Sequence, residues 1–402
     1  MVEHLLASRM SRMKASEIRE LLKLLDQPGI ISFAGGIPDP DLFPADAFAE
    51  ATAQALNAEN RAHALQYSIS EGHPPLRRWI TQHMAELGVR CRPEQVLITS
   101  GSQQALDYLG KLFLSQNDTA LVEWPTYMGA LAAFNAYEPN FEQLNLQGNR
   151  AAGDYAKAAA EAGGRVKFAY LSSDFANPTG ETLDLAGRER LLDLAEELDC
   201  PIIDDAAYQA LRYDGEPVPP LLALEQARKG DLDACRVIHC GSFSKTLSPG
   251  VRMGWVVAAQ PIISKMVLLK QASDLHTPTL NQVVICDVAE RHFDSHVTML
   301  RKVYARRRDR MLAALERHMP AGITWTRPEG GMFIWVTLPV HLNGDALLAE
   351  AVDSAKVAFV PGQAFFADGS GDNTIRLSFS CAKEDQAEEG IRRLGELLRA
   401  HV

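Results

Sequence analysis

The feature that most constrains this chain is a series of short apolar segments alternating with helical ones between residues 96 and 258. Val96–Thr99, Ala120–Glu123, Phe168–Leu171, Ile202–Asp204, 236–240 and Trp255–Ala258 are too short for helices and are bounded by turn residues, so they read as strands. Stretches at 102–114, 127–136 and 184–198 instead space their apolar residues for one helical face; Ala105, Leu106, Leu109, Leu112 and Phe113 form such a face. Apolar strands separated by helices belong to a mostly parallel sheet with helices on both faces, an α/β fold. The spacer between 236–240 and 255–258 is short, which predicts a short crossover or an antiparallel neighbour there.

The flanks read differently. Residues 14–25 carry a helical stripe of Ile18, Leu21, Leu22 and Leu25, ended by Gln27-Pro28-Gly29. A short strand at Ile30–Phe33 and a loop at Ala34–Pro40 follow, then a helix at 44–57 opening on Pro44. A long helix is expected at about 284–316, with strands at Met332–Val336 and Ile375–Phe379 and helices at 345–355 and 383–400, together an α+β unit. The basic run Arg301-Lys302 and Arg306-Arg307-Arg308 reads as a solvated helix face, not a nucleic-acid patch, because the net charge is -11. Six cysteines stand apart with no Cys-x-x-Cys pair, which predicts reduced thiols and neither zinc nor disulfides. No apolar run reaches the roughly 18 residues of a membrane span. The N-terminus has no apolar signal segment, and Glu3, Glu17 and Glu20 argue against a transit peptide. A cytoplasmic protein without nucleic-acid or membrane partners is expected.

Ligands of open parallel sheets bind beyond the carboxyl ends of the strands. After the first strand comes Ser100-Gly101-Ser102-Gln103, an anion site at a helix start, or a helix capped by Ser102. It fits neither nucleotide fingerprint, which sets a dinucleotide-dependent dehydrogenase aside. After the second comes Trp124-Pro125-Thr126-Tyr127, where Tyr127 is a stacking platform or a core aromatic. Asn177-Pro178-Thr179-Gly180 is a turn that offers an amide. Asp205, with Tyr208 three residues on, is a carboxylate that needs a cation such as a pyridinium, or else a helix cap. Ser242-Phe243-Ser244-Lys245 places a lysine among hydroxyls, and Arg252 follows seven residues later.

These groups, in this order and with Ile375-Arg376-Leu377-Ser378 near the end, resemble the fold-type I pyridoxal 5'-phosphate (PLP) enzymes, specifically the class I/II aminotransferases. Ala15–Leu22 and Ser32–Pro38 are similar to the 2-aminoadipate/kynurenine aminotransferase subgroup, and the resemblance runs from about residue 14 to 382. It implies a large PLP-binding domain with a mostly parallel seven-stranded sheet at 46–290. It also implies a smaller α+β domain built from an N-terminal arm and segment at 1–45 and from 291–402. Lys245 would be the Schiff-base lysine and proton shuttle, and Asp205 would pair with the pyridine nitrogen. Asn177 and Tyr208 would reach the ring's 3-oxygen, and Tyr127 would stack on the ring. Ser102, Gln103, Ser242, Ser244 and Arg252 would hold the phosphate, with Tyr67 entering from the other subunit of a homodimer with shared active sites. Arg376 would bind the substrate α-carboxylate, helped by Asn177 and the backbone near Gly36. No metal is implied. The X-Pro bonds Trp124-Pro125 and Asn177-Pro178 are expected to be cis.

The chemistry asks for these residue types. Breaking a Cα–H bond leaves a carbanion, for which the PLP ring is the electron sink. A lysine that takes this proton must be neutral, so its pKa has to fall below the reference value of about 10.4. An arginine fork matches a carboxylate as a lysine does not. Arg19, on the N-terminal stripe, is the candidate to read a side-chain carboxylate by swinging inward for 2-aminoadipate or glutamate and outward for apolar substrates; otherwise it is a surface arginine. The expected activity is ping-pong transfer of an amino group from a broad set of L-amino acids (2-aminoadipate, glutamate, aromatic or branched-chain) to a 2-oxo acid such as 2-oxoglutarate. The alternatives are a β-lyase or decarboxylase on the same fold, or a non-catalytic aminotransferase-like sensor, whose DNA-binding domain is not read ahead of residue 14.

Overall fold

The computed structural model describes residues 3–13, 29–146, 148 and 150–402. The expected helix at 14–25, with Arg19, lies outside the described residues. The strands are β1 (Ile31–Ser32), β2 (Val96–Thr99), β3 (Thr119–Val122), β4 (Asn140–Gln143), β5 (Val166–Leu171), β6 (Ile202–Asp205), β7 (Val237–Ser242) and β8 (Gly254–Val257). The remainder are β9 (Thr324–Trp325), β10 (Phe333–Thr337), β11 (Val357–Ala358), β12 (Val360–Pro361) and β13 (Thr374–Ser378).

Seven strands form the central sheet in the order β2-β8-β7-β6-β5-β3-β4. β8 runs antiparallel to both β2 and β7, the second of the two arrangements left open by the short spacer, and the other pairs are parallel. The sequence reading did not pick out β4. Asn140–Gln143 is half-buried throughout and polar except at Phe141, the signature of an edge strand and not of a core run. Alternation sends successive residues to opposite faces. Val96, Ile98, Ile202 and Val237 join a core on one face with Leu76, Ile80 and Phe293, whereas Leu97, Ile203, Ile238 and Tyr170 join Leu106, Phe134 and Met266 on the other. This parity places Asp204 and Asp205, the last residues of β6, on opposite faces.

A second, antiparallel sheet has the order β12-β13-β10-β9, and β1 pairs with β11 in parallel. Its core includes Phe333, Ile375 and Leu377 from the strands and Ile391, Leu394 and Leu398 from the helix Glu384–Arg399. One 40-residue helix, Thr279–His318, links the two bodies. It gives Val284, Val288 and Phe293 to the first core and Tyr304, Met311 and Leu315 to the second. It starts before residue 284, directly after Pro278, which fixes the entry. The helix expected at 345–355 ends at Glu350 and continues as one wide turn over Ala351–Ala355.

The basic run is solvated at Arg301, Lys302 and Arg306, as expected, but not at Arg307 and Arg308. Arg308 is buried, donates to the Pro328 carbonyl at 2.9 Å and pairs with Asp214 at 2.6 Å. Arg307 pairs with Asp39 at 2.6 Å and also donates to the Ser380 carbonyl. The helical period turns these two residues toward the second core, and composition could not reveal that. All six cysteines are free, and among the described residues no helix is long and apolar enough to cross a membrane.

Candidate active site

The strand-end groups read from the sequence gather at the carboxyl edge of the central sheet. Asp205 closes β6 and is buried. Its Oδ2 accepts from the Tyr170 hydroxyl at 3.0 Å, and its Oδ1 has no partner. Asp205 is therefore no helix cap. Burial pushes its carboxyl up to about 6, against the Tyr170 hydrogen bond and Lys245, while Asp204 adds to the rise. An orphaned carboxylate oxygen in such a place calls for a donor, preferably a cation.

Lys245 follows β7. Its Nζ donates to the Gly36 carbonyl at 2.9 Å and lies 5.6 Å from the centre of the Tyr208 ring. Lys245 is partly buried, and protein surrounds it closely enough that desolvation lowers its pKa to about 8. Arg376 and Arg252 lower it further and Asp205 opposes them. The amine is thus neutral over part of the physiological range, which an exposed lysine is not.

Arg376, in the middle of β13, is 1% exposed. Its Nη1 donates to Asn177 Oδ1 at 2.7 Å, its Nη2 donates to the Ala34 carbonyl at 2.9 Å, and its Nε has no partner. The rings of Phe333 and Phe365 lie 4.3 and 5.1 Å from the guanidinium. Burial brings its pKa down to about 10, opposed by Tyr208 and Tyr127. Gly36 fits because a Cβ there would lie 3.1 Å from Phe333 and 3.4 Å from Arg376. Both expected cis bonds, Trp124-Pro125 and Asn177-Pro178, are present.

The glycine-serine turn forms an anion cradle. Gly101, and not Ser102, is the N-cap of the helix Ser102–Phe113, and no side chain caps it. The N–H groups of the first turn are left for a ligand. Gly101 has φ 86°, and a Cβ on it would meet Arg252 Nη2 at 2.3 Å. Arg252 itself has φ 53° and donates to the Pro249 and Ser100 carbonyls. Ser242 Oγ accepts from the Ser244 N–H at 3.1 Å. The side chain of Gln103 is committed to the Gly129 carbonyl at 2.7 Å, so its remaining offer is the backbone N–H. Tyr127 precedes the helix Met128–Asn135, with its ring against Gly129, where a Cβ would lie 2.4 Å away. Gln103 and Tyr127 also line a cavity of about 980 Å³ closed by Arg12, Met13, Gln363 and Phe366.

Two expected residues stand apart. Tyr67 is 78% exposed and packs edge-on against His276, with ring centres 5.8 Å apart, instead of joining this cluster. Arg19 lies outside the described residues. The sequence reading missed Tyr170, Phe333 and Phe365. All three sit on elements or in stretches legible as apolar, but only strand register places Tyr170 over Asp205 and Phe333 beside Arg376, and only the packing of the short turn Gly362–Phe365 brings the Phe365 ring there.

PLP fits these residues on its chemistry. Asp205 Oδ1 lacks the donor that a protonated ring nitrogen supplies, the amine is depressed and near neutral, and a helix N-terminus with an arginine awaits a phosphate. The model of the class I and II aminotransferase family matches residues 28–394. The aromatic-amino-acid aminotransferase 1 of Thermococcus litoralis is 42% identical over 396 residues, 97% of this chain and 93% of the relative. The 2-aminoadipate transaminase of Thermus thermophilus is 43% identical over 389 residues, 96% and 95% of the two chains. The kynurenine aminotransferase of Pyrococcus horikoshii, solved in complex with PMP, overlays with a TM-score of 0.91 at 40% identity, covering 100% of this chain and 98% of that one. The chain therefore belongs to the class I and II aminotransferases, and it is a PLP-dependent transaminase of fold type I.

Proposed function

We propose that the enzyme moves the amino group of 2-aminoadipate, glutamate, or an aromatic or branched-chain L-amino acid to 2-oxoglutarate or a similar 2-oxo acid, in two half-reactions at this one site. The observation that carries the reading is the pairing of Arg376 with Lys245. Both are held by one loop, through the carbonyls of Ala34 and Gly36, and Arg376 keeps an unpartnered Nε. Arg376 fixes the substrate α-carboxylate, aided by Asn177 and the Gly36 loop, and thereby sets where the Cα proton lies. PLP supplies the electron sink that acidifies that Cα–H bond and the carbonyl carbon that stores the amino group. Lys245 Nζ, neutral once its proton is gone, takes the Cα proton and returns it. Asp205 would pair with the ring nitrogen, Tyr208 and the Asn177 amide would hold the ring oxygen, and Tyr127 would stack on the ring. Ser102, Gln103, Ser242, Ser244 and Arg252 hold the phosphate.

Tyr67 belongs, on this reading, to the site of a partner subunit. Its exposure, with Leu65 68% and Ile69 48% exposed beside it, supports an arm covered by a second copy in a homodimer with shared sites. The segment 1–45 joins 291–402 as the small domain and 46–290 forms the large one, in keeping with the β1–β11 pairing. A cytoplasmic location suits the six free cysteines. The test is release of 2-oxo acid from each L-amino acid without any acceptor. One equivalent per site, made catalytic only when 2-oxoglutarate is added, is expected; release of ammonia or carbon dioxide instead would sink the proposal.

A further inference from the structure

The turn assigned to the phosphate is held from behind by a polar cluster that no motif announces. Lys270 is wholly buried, and its Nζ donates to Asp274 at 3.0 Å and to Gln104 Oε1 at 2.8 Å. Gln104 Oε1 also accepts the Ser100 N–H at 2.9 Å, while its Nε2 donates to Asp274 Oδ2 at 2.7 Å. Both acceptor directions of that amide oxygen are used, so its orientation is fixed. Ser100 Oγ lies 3.3 Å from Asp274 Oδ2 and 3.3 Å from Thr277 Oγ1, and the Ser100 carbonyl accepts from Arg252 Nη2 at 3.4 Å. Every polar group of Ser100 is engaged. The next residue is Gly101, whose left-handed backbone leaves no room for a Cβ against Arg252.

We propose that Lys270, Asp274 and Gln104 are positioning residues for the phosphate of PLP: they fix Ser100, and Ser100 aims the N–H groups of Ser102 and Gln103 and seats Arg252, while the Gly101 N–H is spent on the Thr99 carbonyl at 2.8 Å. The inference rests on the phosphate assignment made above. Its physical ground is the cost of the arrangement. A buried ammonium costs several kcal/mol unless it is paired and hydrogen-bonded, and an apolar residue would fill the space more cheaply. What the polar cluster adds is a single backbone geometry at Ser100. Hydrogen bonds to an anion reward that geometry, because they are short and directional.

The test compares two ligands of the apoprotein, PLP and pyridoxal, which lacks the phosphate. Asp274→Asn should weaken PLP binding about tenfold or more and leave pyridoxal binding within about twofold. A general loosening of the fold would weaken both alike, and that outcome overturns the inference. Gln104→Met keeps the direct Lys270–Asp274 pair and removes the acceptor of the Ser100 N–H together with the Gln104 bonds to Lys270 and Asp274; it carries the same expectation should Asp274→Asn fail to fold. Unchanged PLP affinity in the folded variants also overturns it. Arg252→Ala separates this failure from that of the phosphate site. If Arg252→Ala loses PLP affinity and Asp274→Asn keeps it, only the positioning role falls. If Arg252→Ala keeps PLP affinity too, the phosphate assignment falls with it.

Discussion

The protein buries two arginines in opposite ways. Arg188, on the sheet face away from the site, is fully buried; it donates from Nε to the Leu183 carbonyl, from Nη1 to the Pro219 carbonyl, and from Nη2 to the Ser173 carbonyl and Asp174. Arg376, in the middle of β13, is as deeply buried but its hydrogen bonds go only to an amide oxygen and a carbonyl, with Nε unpartnered and no carboxylate partner among the described residues. Both are covered by protein, so burial alone does not distinguish them. The difference lies in the missing anion. A cation left without one inside a protein is held at a cost, and here a substrate carboxylate is what balances it.

The largest expected effect breaks this pair apart. Arg188→Met should cost about 3–5 kcal/mol of stability, because it removes the nearer cation of buried Asp174, leaving only Arg212 at 3.4 Å, and takes a donor from each of the Leu183, Pro219 and Ser173 carbonyls. Arg376→Met should change apoprotein stability by about 1 kcal/mol or less, while kcat/KM falls about 10²–10⁴-fold through loss of two charge-assisted hydrogen bonds. Denaturant unfolding and steady-state kinetics on both variants decide it; a stable Arg188→Met or an unfolded Arg376→Met would reverse the assignment.

Asp205 sharpens the same contrast for an anion. Its folded pKa is raised to about 6, so between the usual carboxylate range and that value the folded state holds a proton that the unfolded state has released. Stability of the apoprotein falls as pH rises through this window, and the deficit remains above it. Asp205→Asn should therefore stabilise the apoprotein at pH 8 by on the order of 1–2 kcal/mol and not at pH 4, while transamination drops by about two orders of magnitude or more. Equal stability shifts at both pH values would show that Asp205 carries no such burden.

Lys245 supplies a third measurement. Acylation of the apoprotein amine should rise with pH and level off above about 8, since the neutral form attacks and the pKa is lowered to that value. Surface lysines should keep gaining reactivity beyond pH 10, near their reference value of about 10.4. A Lys245 profile like theirs would remove its depressed state. The smallest effect is expected at Arg19. Arg19→Ala should lower kcat/KM for 2-aminoadipate or glutamate about tenfold more than for leucine or tyrosine, and equal losses would leave it a surface residue.

Much of this was legible before folding. Periodicity marked six of the seven central strands, and the short spacer before β8 narrowed its placement to a short crossover or an antiparallel neighbour, of which the fold takes the second. Periodicity failed at β4, because an edge strand need not be apolar. It also failed at Arg307 and Arg308, because a charge run has no inherent direction until the helix is packed. In the site, Asn177, Asp205 and Lys245 were singled out as groups following strands, and Arg252 and Arg376 through the order of motifs and the family resemblance that assigned all five their roles. Tyr170, Phe333, Phe365 and the Lys270–Asp274 cluster were not, because each acts across strands or helices far apart in the chain.

The sequence by itself determined which chemical groups stand at the ends of which strands, since alternation and turn residues are local properties of the chain. Only the tertiary structure decided their charge states and partners. The pKa of about 8 at Lys245 and the orphaned oxygen of Asp205 arise from desolvation. Desolvation depends on what the rest of the chain packs around a residue and not on its neighbours in sequence.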